Sequence, residues 1–211
     1  MLARQKLVAN DGYEVLLFPL EYLYMSQDEG GDYSHLYTYS IDCLGWGPNG
    51  RVFRCPYYAP CTLRCVRVTS DSIVWQSLGR VHFADGTLDY VTINFVHDDN
   101  LRVHFVNEII QQGDLIGHTG TAGNVTGDHV HINTARGTYQ GFYDVGTGHY
   151  QLVNSTHVYD TMYVNDTVIL QGYNHNWKTY DGGVVPPTPS TIKTRFPWVL
   201  YSRRLRTKTH F

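Results

Sequence analysis

Short runs of β-branched and aromatic residues alternating with polar ones recur along the chain, separated by glycines, while helical 3.6-residue stripes are scarce. The clearest run is Leu88-Asp89-Tyr90-Val91-Thr92-Ile93-Asn94-Phe95-Val96-His97, where period two sets Val91, Ile93, Phe95 and His97 on one face. The same reading predicts a β lead-in over Tyr13 to Phe18 and strands near 52–55, 61–68, 72–76, 79–83, 88–97 and 129–134. Residues 138–181 continue with β-prone pieces such as Thr156-His157-Val158-Tyr159 and Thr167-Val168-Ile169-Leu170, which either extend the sheet or line a groove with Tyr and Trp. The pattern therefore predicts an all-β, mostly antiparallel sheet in one main domain. Gly182-Gly183-Val184-Val185-Pro186-Pro187-Thr188-Pro189-Ser190 reads as a linker, with a basic, aromatic tail over 192–211 that includes Lys193, Arg195, Arg203, Arg204, Arg206 and Lys208. Such a tail fits a surface anchor, a membrane included, or a disordered end.

Composition adds bounds. With 211 residues, 42% hydrophobic and 17% charged, the chain can bury a core, and 17 Tyr with 20 Gly suit short strands and tight turns. A net charge of −3 gives no whole-protein attraction to nucleic acid or to anionic walls, so nucleic acid is not an expected partner and a substrate must be bound in a local groove. No apolar run approaches the ~18 residues of a transmembrane segment, and Met1 to Gly12 show no signal-peptide pattern. The expectation is synthesis in a host cytoplasm, and the three Asn-x-Ser/Thr sequons then carry no meaning. Cys43, Cys55, Cys61 and Cys65 lack the paired spacing of a zinc ribbon; Cys61, Leu63 and Cys65 share a face if that run is a strand, and a disulfide remains open.

The chemistry concentrates in histidines. His129-Val130-His131 follows the glycine-rich run Gly117 to Asp128, and alternate strand residues point one way, so both imidazoles aim together. Upstream, His35 is followed seven residues later by Asp42; an odd spacing puts the two on opposite faces of a regular strand, so the segment must turn or bulge for both to reach one ion. Two histidines and a carboxylate with an open fourth position make a catalytic zinc set, whereas each histidine alone reads equally as a packed one. The glycine run is not a phosphate cradle, since no Gly-Lys-Ser/Thr closes it and no helix pattern follows. His82, His104, His118, His149, His157, His175 and His210 match no motif and read as surface or packing residues, with His118 placed to line a groove.

Taken in order, His35 and Asp42, the strand-end His97, then Gln112-Gly113-Asp114-Leu115-Ile116-Gly117-His118-Thr119-Gly120 feeding Thr126-Gly127-Asp128-His129-Val130-His131, the chain resembles the lysostaphin-type zinc metallopeptidases that cut peptidoglycan peptides, over about residues 15–135. Tyr58-Ala59-Pro60 before a β-rich run is similar too, and the seven-residue His–Asp spacing with Tyr-Ser-Ile-Asp resembles members encoded by bacteriophages, many others spacing the pair by four. The resemblance implies the lysostaphin-like, duplicated-hybrid-motif sheet with a narrow groove over one zinc, within a domain spanning 1–183 and its β extension at 138–181, before the linker at 184–191. It implies His35, Asp42 and His131 as zinc ligands and His97 and His129 as catalytic residues. It further implies hydrolysis of peptidoglycan peptide bonds, by a virion-associated lysin or endolysin that acts at the cell wall and associates with virion proteins or is released on lysis. The rivals are a non-catalytic wall-binding or structural virion protein retaining the fold, and a zinc hydrolase with another amide substrate. Cys43, next to Asp42, should point away from it in a strand.

Overall fold

The computed structural model describes residues 6–99, 103–146 and 148–182. The expected linker at 184–191 and tail at 192–211 lie outside the described residues. Within them the protein is all-β, its one helix being the four residues Val158–Thr161. No helix there is long and apolar enough to cross a membrane.

The principal sheet contains nine strands: β1 (Tyr22–Gln27), β2 (Ile41–Cys43), β3 (Leu63–Val68), β4 (Ser72–Ser77), β5 (Val91–Val96), β6 (Ile109–Ile110), β7 (Val130–Arg136), β8 (Ser155–Thr156) and β9 (Val168–Gln171). Their spatial order is β6-β3-β4-β5-β7-β2-β1-β9, with β8 also on β7. Every pairing is antiparallel except β9 on β1. Residues after 138 thus extend the sheet through β8 and β9, and the hairpin of Phe142–Asp144 with Tyr150–Leu152 adds aromatic residues beside it.

Period two divides the sheet chemically. Ile41 and Cys43, Leu63 and Cys65, Ile73 and Trp75, Val91, Ile93 and Phe95, and Val130 and Ile132 turn one way into the main core. Their neighbours Asp42, Asn94 and His131 turn the other way. At ~25 cal/mol per Å² of buried apolar surface, that continuous inner face fixes the register, because a one-residue slip would exchange the two sets. Cys43 accordingly lies on the face opposite Asp42, and burial pushes its thiol well above the ordinary range. None of the four cysteines is in a disulfide and all are buried, and Cys61, Leu63 and Cys65 share the inner face.

Two predicted strands differ. The run at 52–55 is a turn that follows the small hairpin of Trp46–Gly47 with Gly50–Arg51. Arg54 has φ +50°, its N–H donates to Asp128 Oδ2 at 3.0 Å, and the Cys55 N–H donates to Thr119 Oγ1 at 2.9 Å, so side chains take the hydrogen bonds a neighbouring strand would need. The run at 88–97 breaks at Tyr90 into Leu88–Asp89 and β5, and β5 ends at Val96. His97 has φ +74° and its N–H donates to the Asp71 carbonyl at 2.7 Å, which takes it out of the face shared by Val91, Ile93 and Phe95.

Candidate metal centre

Strand register builds the centre. Across β4, β5, β7 and β2, Ser72 lies opposite Val96, Val96 opposite His131, and His131 opposite Asp42, forming one row on the outer face. His35 reaches this row from a loop. Turns occupy residues 32–34 and 36–37, Tyr37 has φ +63°, and the His35 N–H donates to the Gly31 carbonyl at 3.2 Å. The turn demanded by the odd His35–Asp42 spacing is therefore present.

His35 Nε2 lies 3.1 Å from Asp42 Oδ1 and 3.1 Å from His131 Nδ1, and His131 Nδ1 lies 3.0 Å from Asp42 Oδ1. Ligand atoms at ~2.0–2.1 Å from a tetrahedral zinc stand ~3.3 Å apart, so this near-equilateral triangle has the dimensions of three of its corners. The donor chemistry fits as well. His35 Nδ1 donates to the Asp28 carbonyl at 3.0 Å, which leaves Nε2 of the neutral ring as a lone pair. Burial alone would raise Asp42, but the His131 and His35 nitrogens against it overcome this and hold its carboxyl well below the usual range. Burial lowers His131, and it outweighs the opposing pull of Asp42, with neighbouring His35 and His97 adding to the lowering. One carboxylate oxygen and two imidazole nitrogens thus converge, and a proton can lie along only one edge of the triangle while a cation at its centre serves all three. Among the described residues this is the group of His, Cys, Asp and Glu side chains that could hold a metal ion.

The other two predicted histidines stand beside the triangle. His129, joined to Gly120 by a β-bridge, has Nε2 3.5 Å from Asp42 Oδ2, while its Nδ1 donates to the Gly127 carbonyl at 2.8 Å. His97 has its ring 4.7 Å from that of His129 and 6.2 Å from that of His131, and its Nδ1 donates to the Ala122 carbonyl at 2.7 Å. Period two would have buried His97 in the core; its positive φ brings it to the centre instead. In both rings a backbone carbonyl engages Nδ1, and Nε2 is the remaining nitrogen, which in His129 faces Asp42. Burial lowers His97, and nearby His129 adds to that.

The loop glycines serve close approach. A Cβ on Gly120 would meet the His97 carbonyl and the Asp99 amide, and one on Gly117 would meet Asp98 and Tyr57. Residues unremarked in the sequence brace this loop: Asp98 accepts from Tyr57 Oη at 2.9 Å and the His118 N–H at 2.8 Å, and Asp128 accepts from Thr119 Oγ1 at 2.6 Å. The carbonyls of Asp28, Ala122 and Gly127 that orient three rings carry no side-chain signal. His118, expected at a groove, is not among the residues lining the cleft beside His131.

Fold and centre together define an antiparallel β protein carrying a mononuclear His-Asp-His set able to hold a metal ion, flanked by two further histidines. No family model matches the chain. It is similar to Morphogenesis protein 1 of Bacillus phage B103, 37% identical over 176 residues, which are 81% of this chain and 46% of that protein. The chain thus spans less than half the length of this relative. Among solved structures it is similar to a zinc-containing peptidase from Vibrio cholerae, with TM-score 0.43 and 16% identity over 61% of this chain and 42% of that one. It is also similar to the catalytic domain of the antimicrobial peptidase lysostaphin from Staphylococcus simulans, with TM-score 0.38 and 15% identity over 56% of this chain and 80% of that one.

Proposed function

We propose that this chain is a zinc-dependent endopeptidase that hydrolyses peptide bonds of bacterial peptidoglycan, acting at the cell wall as a bacteriophage virion-associated lysin or endolysin. The observation that carries the proposal is the triangle of His35 Nε2, Asp42 Oδ1 and His131 Nδ1 with 3.0–3.1 Å edges and two unligated imidazoles beside it. These three side chains would hold the ion. Zinc in such a set polarises a carbonyl and lowers the pKa of water to about 7. His129 and His97, each with Nδ1 donating to a carbonyl and Nε2 the remaining nitrogen, take the proton of the attacking water and return it to the leaving amine; such groups typically supply ~10²–10⁴ in rate. The balance is that of amide hydrolysis: the C–N bond breaks, water supplies oxygen to the new carboxyl and a proton to the new amine. Peptidoglycan as substrate rests on the motif order of the sequence, and the phage setting rests on that together with the phage relative.

The relative's description as a morphogenesis protein favours a second reading, a structural virion protein that retains the fold without turnover. Incubating purified sacculi of several wall chemotypes with the zinc-loaded protein and with His131→Ala, then sequencing released ends by mass spectrometry, separates the two. New amine and carboxylate ends made only by the unsubstituted protein are expected. Intact stems and bridges in every wall type, with zinc bound, would overturn the peptidoglycan endopeptidase and favour the structural reading.

A further inference from the structure

Beside His131 the outer face of the sheet opens into a cleft of about 550 Å³, lined by Arg67, Ser72, Asn94, Val96, Phe142 and Tyr150 among others. Ser72, Val96 and His131 in this lining belong to the row that builds the metal centre, but Arg67 does not. Along β3 the alternation runs Leu63 inward, Arg64 outward and Cys65 inward, and an unbroken strand would turn Arg67 into the core with Leu63 and Cys65. A register shift between Cys65 and Arg67 prevents this, placing Arg67 opposite Val74 and on its face, away from Ile73. Bulges of this kind re-aim a side chain. Here the bulge brings a guanidinium to the cleft, where its Cζ lies 5.3 Å from the centre of the Phe142 ring and Nη1 donates to Tyr139 Oη at 3.3 Å.

Arg51, Arg54 and Arg136 each meet a carboxylate. Arg67 has no carboxylate partner among the described residues, and Tyr139 engages one of its five N–H donors. Asp71, the acid that lines the cleft, is not ion-paired with Arg67: Thr69 Oγ1 donates to its Oδ1 at 3.0 Å, and its Oδ2 lies close to Gly123. A guanidinium over an aromatic ring, with Nε and Nη2 not engaged by a carboxylate, keeps an edge for bidentate binding of one. β3 lies three strand spacings from β7, about 14 Å, and the arginine side chain spans part of that, leaving the reach of about two or three residues of extended peptide.

We infer that Arg67, on its Phe142 platform, is a binding subsite for a free carboxylate of the peptide substrate, about two or three residues from the bond at the metal centre. The inference rests on the endopeptidase reading and names its substrate class: peptides bearing a carboxylate at that position, in preference to amidated stems or bridges of glycine alone.

The test uses the full, zinc-loaded chain and pairs of short acetylated peptides that are identical except for a side-chain carboxylate or carboxamide placed two or three residues from the scissile bond. Initial rates and equilibrium binding are both measured for the unsubstituted protein, Arg67→Gln and Arg67→Lys. The carboxylate member should be favoured about tenfold or more in kcat/KM and in affinity, as a charge-assisted pair implies. Arg67→Gln should abolish the preference through KM with kcat and zinc content kept, and Arg67→Lys should restore part of it. Equal use of both members by the unsubstituted protein, or a preference that survives Arg67→Gln, would overturn the subsite while leaving the peptidase standing. If neither peptide nor any sacculus is cut, the enzymatic reading fails; binding then decides the subsite alone, and equal affinities overturn it.

Discussion

The buried His104–Glu108 pair and the metal centre both bring imidazole and carboxylate together, and they are built on opposite principles. His104, buried near β6, donates through Nδ1 to Glu108 Oε2 at 2.8 Å and has Nε2 2.6 Å from the Ile116 carbonyl. Each ring nitrogen has its own acceptor, so the ring is fully engaged. At the metal centre two ring nitrogens share one oxygen of Asp42 and also face each other at 3.1 Å. Proximity of histidine and carboxylate is therefore no signature of a metal site; convergence of lone pairs on one point is. Glu29 with His157 and Asp28 with His175 are built like the His104 pair, one carboxylate to each ring.

The comparison breaks most sharply when a corner of the triangle is removed. Loss of a residue that merely supports a ligand typically costs about 10–100-fold in metal affinity or activity, so removal of a ligand should exceed that. His35→Ala and Asp42→Ala should each lose stoichiometric zinc after dialysis, measured by elemental analysis of folded protein, with hydrolysis falling to background. Zinc retained at full stoichiometry by both variants would show that the triangle is an ordinary hydrogen-bonded cluster like the others.

Next in size are the flanking rings. His97→Ala and His129→Ala should keep zinc and lower kcat by about 10²–10⁴, so metal content and turnover separate where for the ligands they fall together. The pH profile sharpens this. His97 is lowered by burial from 6.5, with His129 adding to the effect, so its ring stays neutral and able to accept a proton below that value. The acid limb of kcat/KM should therefore lie below 6.5 and should change in His97→Ala. The sign for stability is the reverse of an ion pair: the unfolded chain takes this proton first, so His97 costs nothing above 6.5 and lowers stability as pH falls below 6.5 until the folded ring also protonates. An acid limb above 6.5 would remove His97 from the proton transfer.

Much of this was legible in the sequence for identifiable reasons. The inner face showed because Val91, Ile93, Phe95, Val130 and Ile132 must be buried with period two, and His131 showed because the same period fixes its direction opposite Val130. The turn between His35 and Asp42 followed from the parity of their spacing. His97 is the instructive case: its ring stands beside the triangle, but a regular strand would have pointed it into the core, because a single positive φ leaves no trace in a hydrophobic pattern. The strand expected at 52–55 failed for a related reason, since Asp128 and Thr119, distant in sequence, take its N–H groups. The bulge that re-aims Arg67 is equally silent in the sequence, because alternation reports parity and a bulge changes parity by one.

The smallest effect on function is expected at the His104–Glu108 pair, and that is its value. His104 and Glu108 are both buried, and the His104 ring also meets Trp75 edge-on at 5.0 Å. Substituting His104 by Leu keeps much of the volume but takes from Glu108 its imidazole partner, which should cost about 1–3 kcal/mol of stability. Denaturant unfolding of the zinc-loaded protein reads this directly, and zinc stoichiometry and turnover at saturating substrate should be unchanged under conditions where the variant is folded. A variant that unfolds as expected but also releases zinc would show that the β6 side of the sheet supports the metal centre, and the contrast between this pair and the triangle would then describe one coupled network.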